Sequence, residues 1–130
     1  MKCLIVEDEF TSRLILQKIL GAYGEVHIAA NGREAVEAVE ASLQQQAPYD
    51  LISLDVVMPE MNGREALKAI RELEELSGAP GSKIIMSTAL GDGKTIMASF
   101  KAQCDGYLVK PIDKAKVLKY LEDFGLIPVV

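Results

Sequence analysis

Five polar side chains stand at or just beyond the ends of apolar runs. Glu7 and Asp8 follow "CLIV", Asp55 follows "LISL", Thr88 closes "IIMST" and Lys110 closes "YLVK". If the first and third runs are neighbouring strands, three carboxylates converge on one small volume. Two like unit charges about 4 Å apart repel by roughly 4 kcal/mol at an effective dielectric near 20. A hard divalent cation makes such a cluster tolerable, and Mg²⁺ suits it because it takes one or two carboxylates and keeps several waters. A carboxylate can then act as nucleophile, the cation can neutralise phosphate charge, and a hydroxyl and an ammonium can bind the remaining oxygens. Taken singly, each group has a plainer use: Asp8 as a cap or a solvated acid, Thr88 as a cap, Lys110 as a solvated cation. Together they supply the parts for handling a phosphoryl group.

The elements that must position these groups follow from periodicity. "CLIVE" predicts a buried strand, and "RLILQKIL" a helix with Leu14, Ile15, Ile19 and Leu20 at helical spacing. "EVHIAA" predicts a second strand and "NGREAVEAVEASLQQQ" a second helix, capped by Asn31 with Glu34 placed to answer its backbone. Pro48 keeps that helix out of the third strand, "DLISLD". The helix "GREALKAIRELEEL" turns Leu67, Ile70, Leu73 and Leu76 inward and Arg64, Lys68, Glu72 and Glu75 outward. The "MPEMNG" before it reads as a tight loop in which Gly63 is free to take a positive φ. "KIIMSTA" is a fourth strand, Asp92 caps a shorter helix in "GKTIMASFKAQ", "DGYLVK" is a fifth strand, and Gly125 stops a last helix, "DKAKVLKYLEDF". Strand–helix alternation with nearly all-apolar strands predicts an α/β fold, a doubly wound parallel sheet with helices on both faces. In such sheets ligands bind beyond the carboxyl ends of the strands, at the switch in strand order.

The 130 residues suit one domain, and 49% hydrophobic content supplies a core. A net charge of −5 argues against a nucleic-acid-binding surface, which needs a basic patch, and favours a cation site. Cys3 and Cys104, with His27 the sole histidine, make no metal-ligand spacing and read as two buried thiols in a reducing cytoplasm. "MKCLIVEDE" is no signal peptide, since Glu7 and Asp8 interrupt its short apolar run. No segment approaches the roughly 18–20 apolar residues of a membrane span. The expectation is a soluble, cytoplasmic protein without an internal domain boundary.

The segments "IVEDE", "LDVVMPEMNG", "STA" and "YLVKP" together resemble the receiver domains of bacterial two-component response regulators, of the stand-alone, CheY-like kind. The order and spacing of every element agree across essentially the whole chain. The resemblance implies a flavodoxin-like strand order, 2-1-3-4-5, with a receiver domain over residues 1–124, a short C-terminal tail over 125–130 and no output domain. It makes Asp55 the phosphoacceptor. Asp8, Asp55 and the backbone carbonyl of Val57 would ligate Mg²⁺ (or Mn²⁺) directly, and Glu7 would help through water. The family prefers Asp where this chain has Glu7. Lys110 would pair with Asp55 and then with phosphoryl oxygens, Thr88 would bond a phosphoryl oxygen after transfer, and the Lys110–Pro111 bond would be cis. Such a protein is a phosphorylation-activated switch in a phosphorelay. It is not an enzyme in the ordinary sense, although it promotes its own aspartyl phosphorylation and dephosphorylation.

The implied phosphoryl donor is a sensor histidine kinase or a histidine phosphotransfer protein. The implied switch moves Thr88 toward the phosphoryl group while Tyr107, on the fifth strand, turns inward behind it. Gly91 and Gly93 give the intervening loop its freedom. A downstream protein would bind the face made by the helix of "GKTIMASFKAQ", the fifth strand and the last helix, with Lys94, Met97, Phe100, Lys114 and Lys119 as candidates. Nucleic acid and membrane are not expected partners, and the protein would be a monomer or weak dimer. Val57 and Leu90 stand where the family adjusts water access, and both are apolar, which predicts slow self-dephosphorylation. "GLIPVV" folds back onto the domain or presents Leu126, Ile127, Val129 and Val130 to a partner. Competing readings are a flavodoxin-like cofactor binder, opposed by the carboxylates of "EDEFTSR"; an aspartate-nucleophile phosphohydrolase, opposed by Val57 where a second acid belongs; and a phosphate-independent adaptor.

Overall fold

A computed structural model describes residues 1–56, 58, 60–88 and 103–128. The helix expected after Asp92, the candidates Val57, Leu90, Gly91, Gly93, Lys94, Met97 and Phe100, and the terminal Val129 and Val130 lie outside the described residues. Within them the chain alternates β1 (Lys2–Val6), α1 (Phe10–Gly21), β2 (Glu25–Ala29), α2 (Gly32–Gln44), β3 (Leu51–Asp55), α3 (Gly63–Ser77), β4 (Lys83–Thr88), β5 (Gly106–Val109) and α4 (Lys114–Asp123). The strands pair in parallel in the order β2-β1-β3-β4-β5, as the resemblance implied.

Parallel pairing follows from strands that are buried on both faces. Successive side chains of β1 point to opposite sides of the sheet. Leu4 and Val6 join Ile52, Leu54, Ile84 and Met86 under α2 and α3, which contribute Val39, Leu67 and Ile70. Cys3 and Ile5 join Leu51, Ile85 and Leu108 under α1 and α4, which contribute Leu16, Leu20, Val117 and Leu121. Both cysteines are buried free thiols, and burial, the larger cause, with the Asp50 charge pushes Cys3 up to about 11. Leu126 and Ile127 pack on the α1–α4 layer behind Gly125, which takes φ +73° to end the helix.

Four local expectations differ from the structure. In α1 it is Leu16, with Ile19 and Leu20, that enters the core, while Leu14 is exposed, because the buried stripe runs through Ser12, Leu16, Ile19 and Leu20 and Leu14 falls on the opposite side of the helix. In α3 the inner position next to the end belongs to the buried Glu74, which Arg71 neutralises, and Leu76 is 86% exposed. Gly63 opens α3 and carries no positive φ; among the described residues of the preceding loop that conformation falls on Glu60, at 66°. Asn31 caps α2 as expected, but Glu34 reaches the N–H of Ala30 instead of that of Asn31. The reciprocal capping box forms at α3, between Asn62 and Glu65.

Candidate functional site

Strand register brings the chemistry together. Val6 lies level with Leu54, so Glu7 and Asp55 leave adjacent strands side by side. Asp55 is level with Ser87 and Thr88 with Val109, which places Lys110 one residue beyond the last pair. Glu7, Asp55, Thr88 and Lys110 therefore stand on the carboxyl edge of the sheet. The centre is the β1–β3 boundary, from which the chain crosses to β2 on one side and to β4 on the other.

Carboxylate oxygens of Glu7, Asp8 and Asp55 all lie within 4.8 Å of one another. Glu7 is fully buried, Asp55 is 4% exposed and Asp8 is exposed. Lys110 Nζ donates to Glu7 Oε1 at 2.8 Å and to Asp55 Oδ2 at 3.2 Å. Ser87 Oγ donates to the other Glu7 oxygen at 3.4 Å. Burial, then the hydrogen bond and charge of Glu7, push the Asp55 carboxyl up to about 6 against the opposing pull of Lys110. Burial alone would lower the Lys110 ammonium, but the bond and charge of Glu7, followed by those of Asp55, raise it above its ordinary value. Among the described residues, one half-buried ammonium is shared by two buried acids, which leaves them short of positive charge. Such an all-oxygen, acid-rich donor set fits a hard divalent cation and offers nothing to a soft one.

The backbone around Asp55 is held tightly. Val56 N–H donates to Ser87 O and Gly63 N–H donates to Val56 O, both at 3.0 Å. A Cβ on Gly63 would sit 2.2 Å from Asp55 O, so α3 can begin against the Asp55 carbonyl only with glycine there. Just before Gly63, Met61 O accepts from Gly32 N–H, which ties the loop to α2. Lys110 N–H donates to Thr88 O at 2.8 Å, and the Lys110–Pro111 bond is cis, as expected.

Glu7, Asp8, Asp55, Thr88 and Lys110 thus gather at the carboxyl edge, whereas Tyr107 lies near the amino end of β5 and Val57 is outside the described residues. Thr88 is buried at the tip of β4. Tyr107 is half-buried beside the α2–α3 core, and its N–H donates to Tyr120 Oη at 3.1 Å. Two contributors, Ser87 and Tyr120, have no signature in the sequence, and neither has the contact of Glu7 with Lys110. Ser87 reaches Glu7 only through strand register. Glu7 takes the shorter of the two Lys110 bonds. Tyr120 covers β5 so closely that a Cβ on Gly106 would meet its ring at 2.3 Å.

A parallel 2-1-3-4-5 sheet with acids, a hydroxyl and a lysine at its carboxyl edge defines a phosphoryl-handling switch domain as a class. The family described as response regulator receiver domain matches residues 3–122. The chain belongs to that family, the receiver domains of two-component signalling. It is 33% identical to the chemotaxis protein CheY of Thermotoga maritima, over 92% of this chain and 93% of that one. The receiver domain of the Arabidopsis thaliana histidine kinase CKI1, complexed with Mg²⁺ and BeF₃⁻, superposes with a TM-score of 0.77 at 30% identity, covering 94% of this chain and 89% of that one. The Saccharomyces cerevisiae complex of the phosphotransfer protein Ypd1 with the receiver domain of Ssk1 gives 0.79 at 27% identity, covering 100% and 92%. Among the described residues no helix is long and apolar enough to cross a membrane.

Proposed function

We propose that Asp55 accepts a phosphoryl group from a histidine kinase or a histidine phosphotransfer protein, and that the acyl phosphate changes the chain's protein-binding surface. The observation that carries this reading is the convergence of the Glu7, Asp8 and Asp55 oxygens within 4.8 Å beside Lys110. An Asp55 oxygen attacks phosphorus, the P–N bond to the donor histidine breaks, and the imidazole leaves with a proton. The rigid tip of β3 aims the attacking oxygen, and positioning with charge neutralisation carries most of phosphoryl transfer. Asp8 and Asp55, with the Val57 carbonyl, would hold Mg²⁺ (or Mn²⁺), which neutralises phosphate charge when bound. Lys110 supplies a fixed ammonium for a phosphoryl oxygen, with Glu7 holding its other side.

Thr88, on the strand next to Asp55, is the hydroxyl that bonds the phosphoryl group, and Tyr107 is the side chain that responds. The downstream partner binds the β5–α4 side, where Lys114 and Lys119 are exposed. The CKI1 complex with Mg²⁺ and BeF₃⁻ and the Ypd1 complex support the cation and the donor class by similarity. Incubation with acetyl phosphate and Mg²⁺, followed by intact mass measurement, tests the reading. The wild type should gain one phosphoryl group, and neither Asp55→Asn nor EDTA-treated protein should. Equal labelling of Asp55→Asn would overturn it.

A further inference from the structure

The exposed Leu76 is not isolated. It borders a notch of ≈ 400 Å³ between the C-terminal ends of α2 and α3, lined also by Leu43, Leu73, Glu40, Gln44 and Ser77. Leu43 and Leu73 are half-buried, so three leucines form one continuous apolar floor. Glu40 lines the notch, and the adjoining stretch of α3 carries two more exposed acids, Glu72 and Glu75, next in sequence to Leu73 and Leu76. Among the described residues no basic side chain lies within ion-pair distance of Glu40, Glu72 or Glu75. Neither α2 nor α3 has a basic residue in its last turn, where the helix dipole places partial negative charge. Both helices end here, so the two dipole ends and the three carboxylates add.

We propose that this notch docks a basic amphipathic helix of a partner protein, seating aliphatic side chains on Leu43, Leu73 and Leu76 and lysine or arginine over the acids. Charge selects the occupant. A second copy docked notch to notch would oppose like carboxylates, and an anionic membrane or a nucleic acid would be repelled. The notch adjoins the amino ends of β3 and β4, whereas Asp55 closes the carboxyl end of β3. Docking there is therefore independent of the state of Asp55 and tethers the domain to a partner at all times.

The probe is a synthetic helical peptide of about 14 residues, or four turns, with leucines at i, i+3, i+4 and i+7 spacing and lysines elsewhere. Its control carries glutamates in place of the lysines. In ¹⁵N-resolved NMR titration of the full chain, shifts should centre on residues 40–44 and 72–77 and occur with the lysine peptide alone. Leu76→Asp and Glu72→Lys/Glu75→Lys should each weaken binding by about tenfold, a loss of about 1.4 kcal/mol. Salt raised from about 0.05 to 0.3 M should weaken it further. Beryllofluoride should leave the affinity within about twofold. Shifts centred elsewhere, equal binding by the glutamate peptide, or unchanged affinity in Leu76→Asp would overturn the proposal. So would self-association abolished by Leu76→Asp, or binding to phosphatidylserine vesicles through the notch.

Discussion

At the scale of single residues, Asp55 is held in a state it resists. Its folded pKa of about 6 lies above the ordinary 3.8, so the neutral carboxyl is the form the fold prefers. The associated stability is fully present below pH 3.8 and is lost as pH rises through about 6. At pH 7.5 in EDTA, Asp55→Asn should therefore be more stable than wild type by about 1–2 kcal/mol in urea unfolding, with the gap closing toward pH 4. A wild type more stable than the variant at pH 7.5 would show that Lys110 outweighs burial and Glu7. The same proton competes with a cation, so Mg²⁺ affinity should fall as pH drops below about 6, measurable by calorimetry. The side chains of Val57 and Leu90 carry no donor or acceptor able to orient a water. Val57→Asn should accordingly speed phosphate loss several-fold, timed from radiolabelled protein.

At the scale of elements, the contact between α3 and β3 governs the site. Gly63 lets the first turn of α3 rest on the Asp55 carbonyl, and the Asn62–Glu65 box secures that turn. Gly63→Ala must push the helix away from backbone atoms that cannot yield. It should lower the acetyl phosphate reaction rate by at least about tenfold and destabilise the fold by about 2 kcal/mol. Asn62→Ala removes only the cap and should cost about 1 kcal/mol, with a smaller effect on the rate. Equal rates for the two variants would mean that the Gly63 contact does not set the position of Asp55.

For the whole molecule, a second polar centre sits at the opposite end of the sheet. Arg71 donates to Glu74, to Ser82 O, to Gln103 O and to Asp105, linking α3 to the start of β4 and the approach to β5. Glu74 is buried and also accepts from Ser82 N–H. Removing the guanidinium strands a buried carboxylate, which typically costs 3–5 kcal/mol. Arg71→Met should lose about 3 kcal/mol in chemical denaturation while the residues around Asp55 keep their NMR shifts at low denaturant. Shifts spreading to the carboxyl edge would show that the two ends are coupled.

Residue type and order alone determined the α/β class, the parallel sheet, the strand-end acids and the resemblance that supplied strand order. Apolar runs buried on both faces leave few alternatives, and a polar group at the end of such a run is conspicuous. The inner face of α3 was less legible, because an Arg71–Glu74 pair can replace a leucine in the core only when a third element closes over it. The reason for Gly63 was hidden for a similar cause, since a glycine spared for close approach looks identical to one spared for a turn. Only tertiary structure decided that Glu7 shares Lys110 with Asp55, that Ser87 joins them, and that Leu76 stays outside. Those facts depend on distances between strands and helices far apart in sequence, which register and packing set and local patterns do not encode.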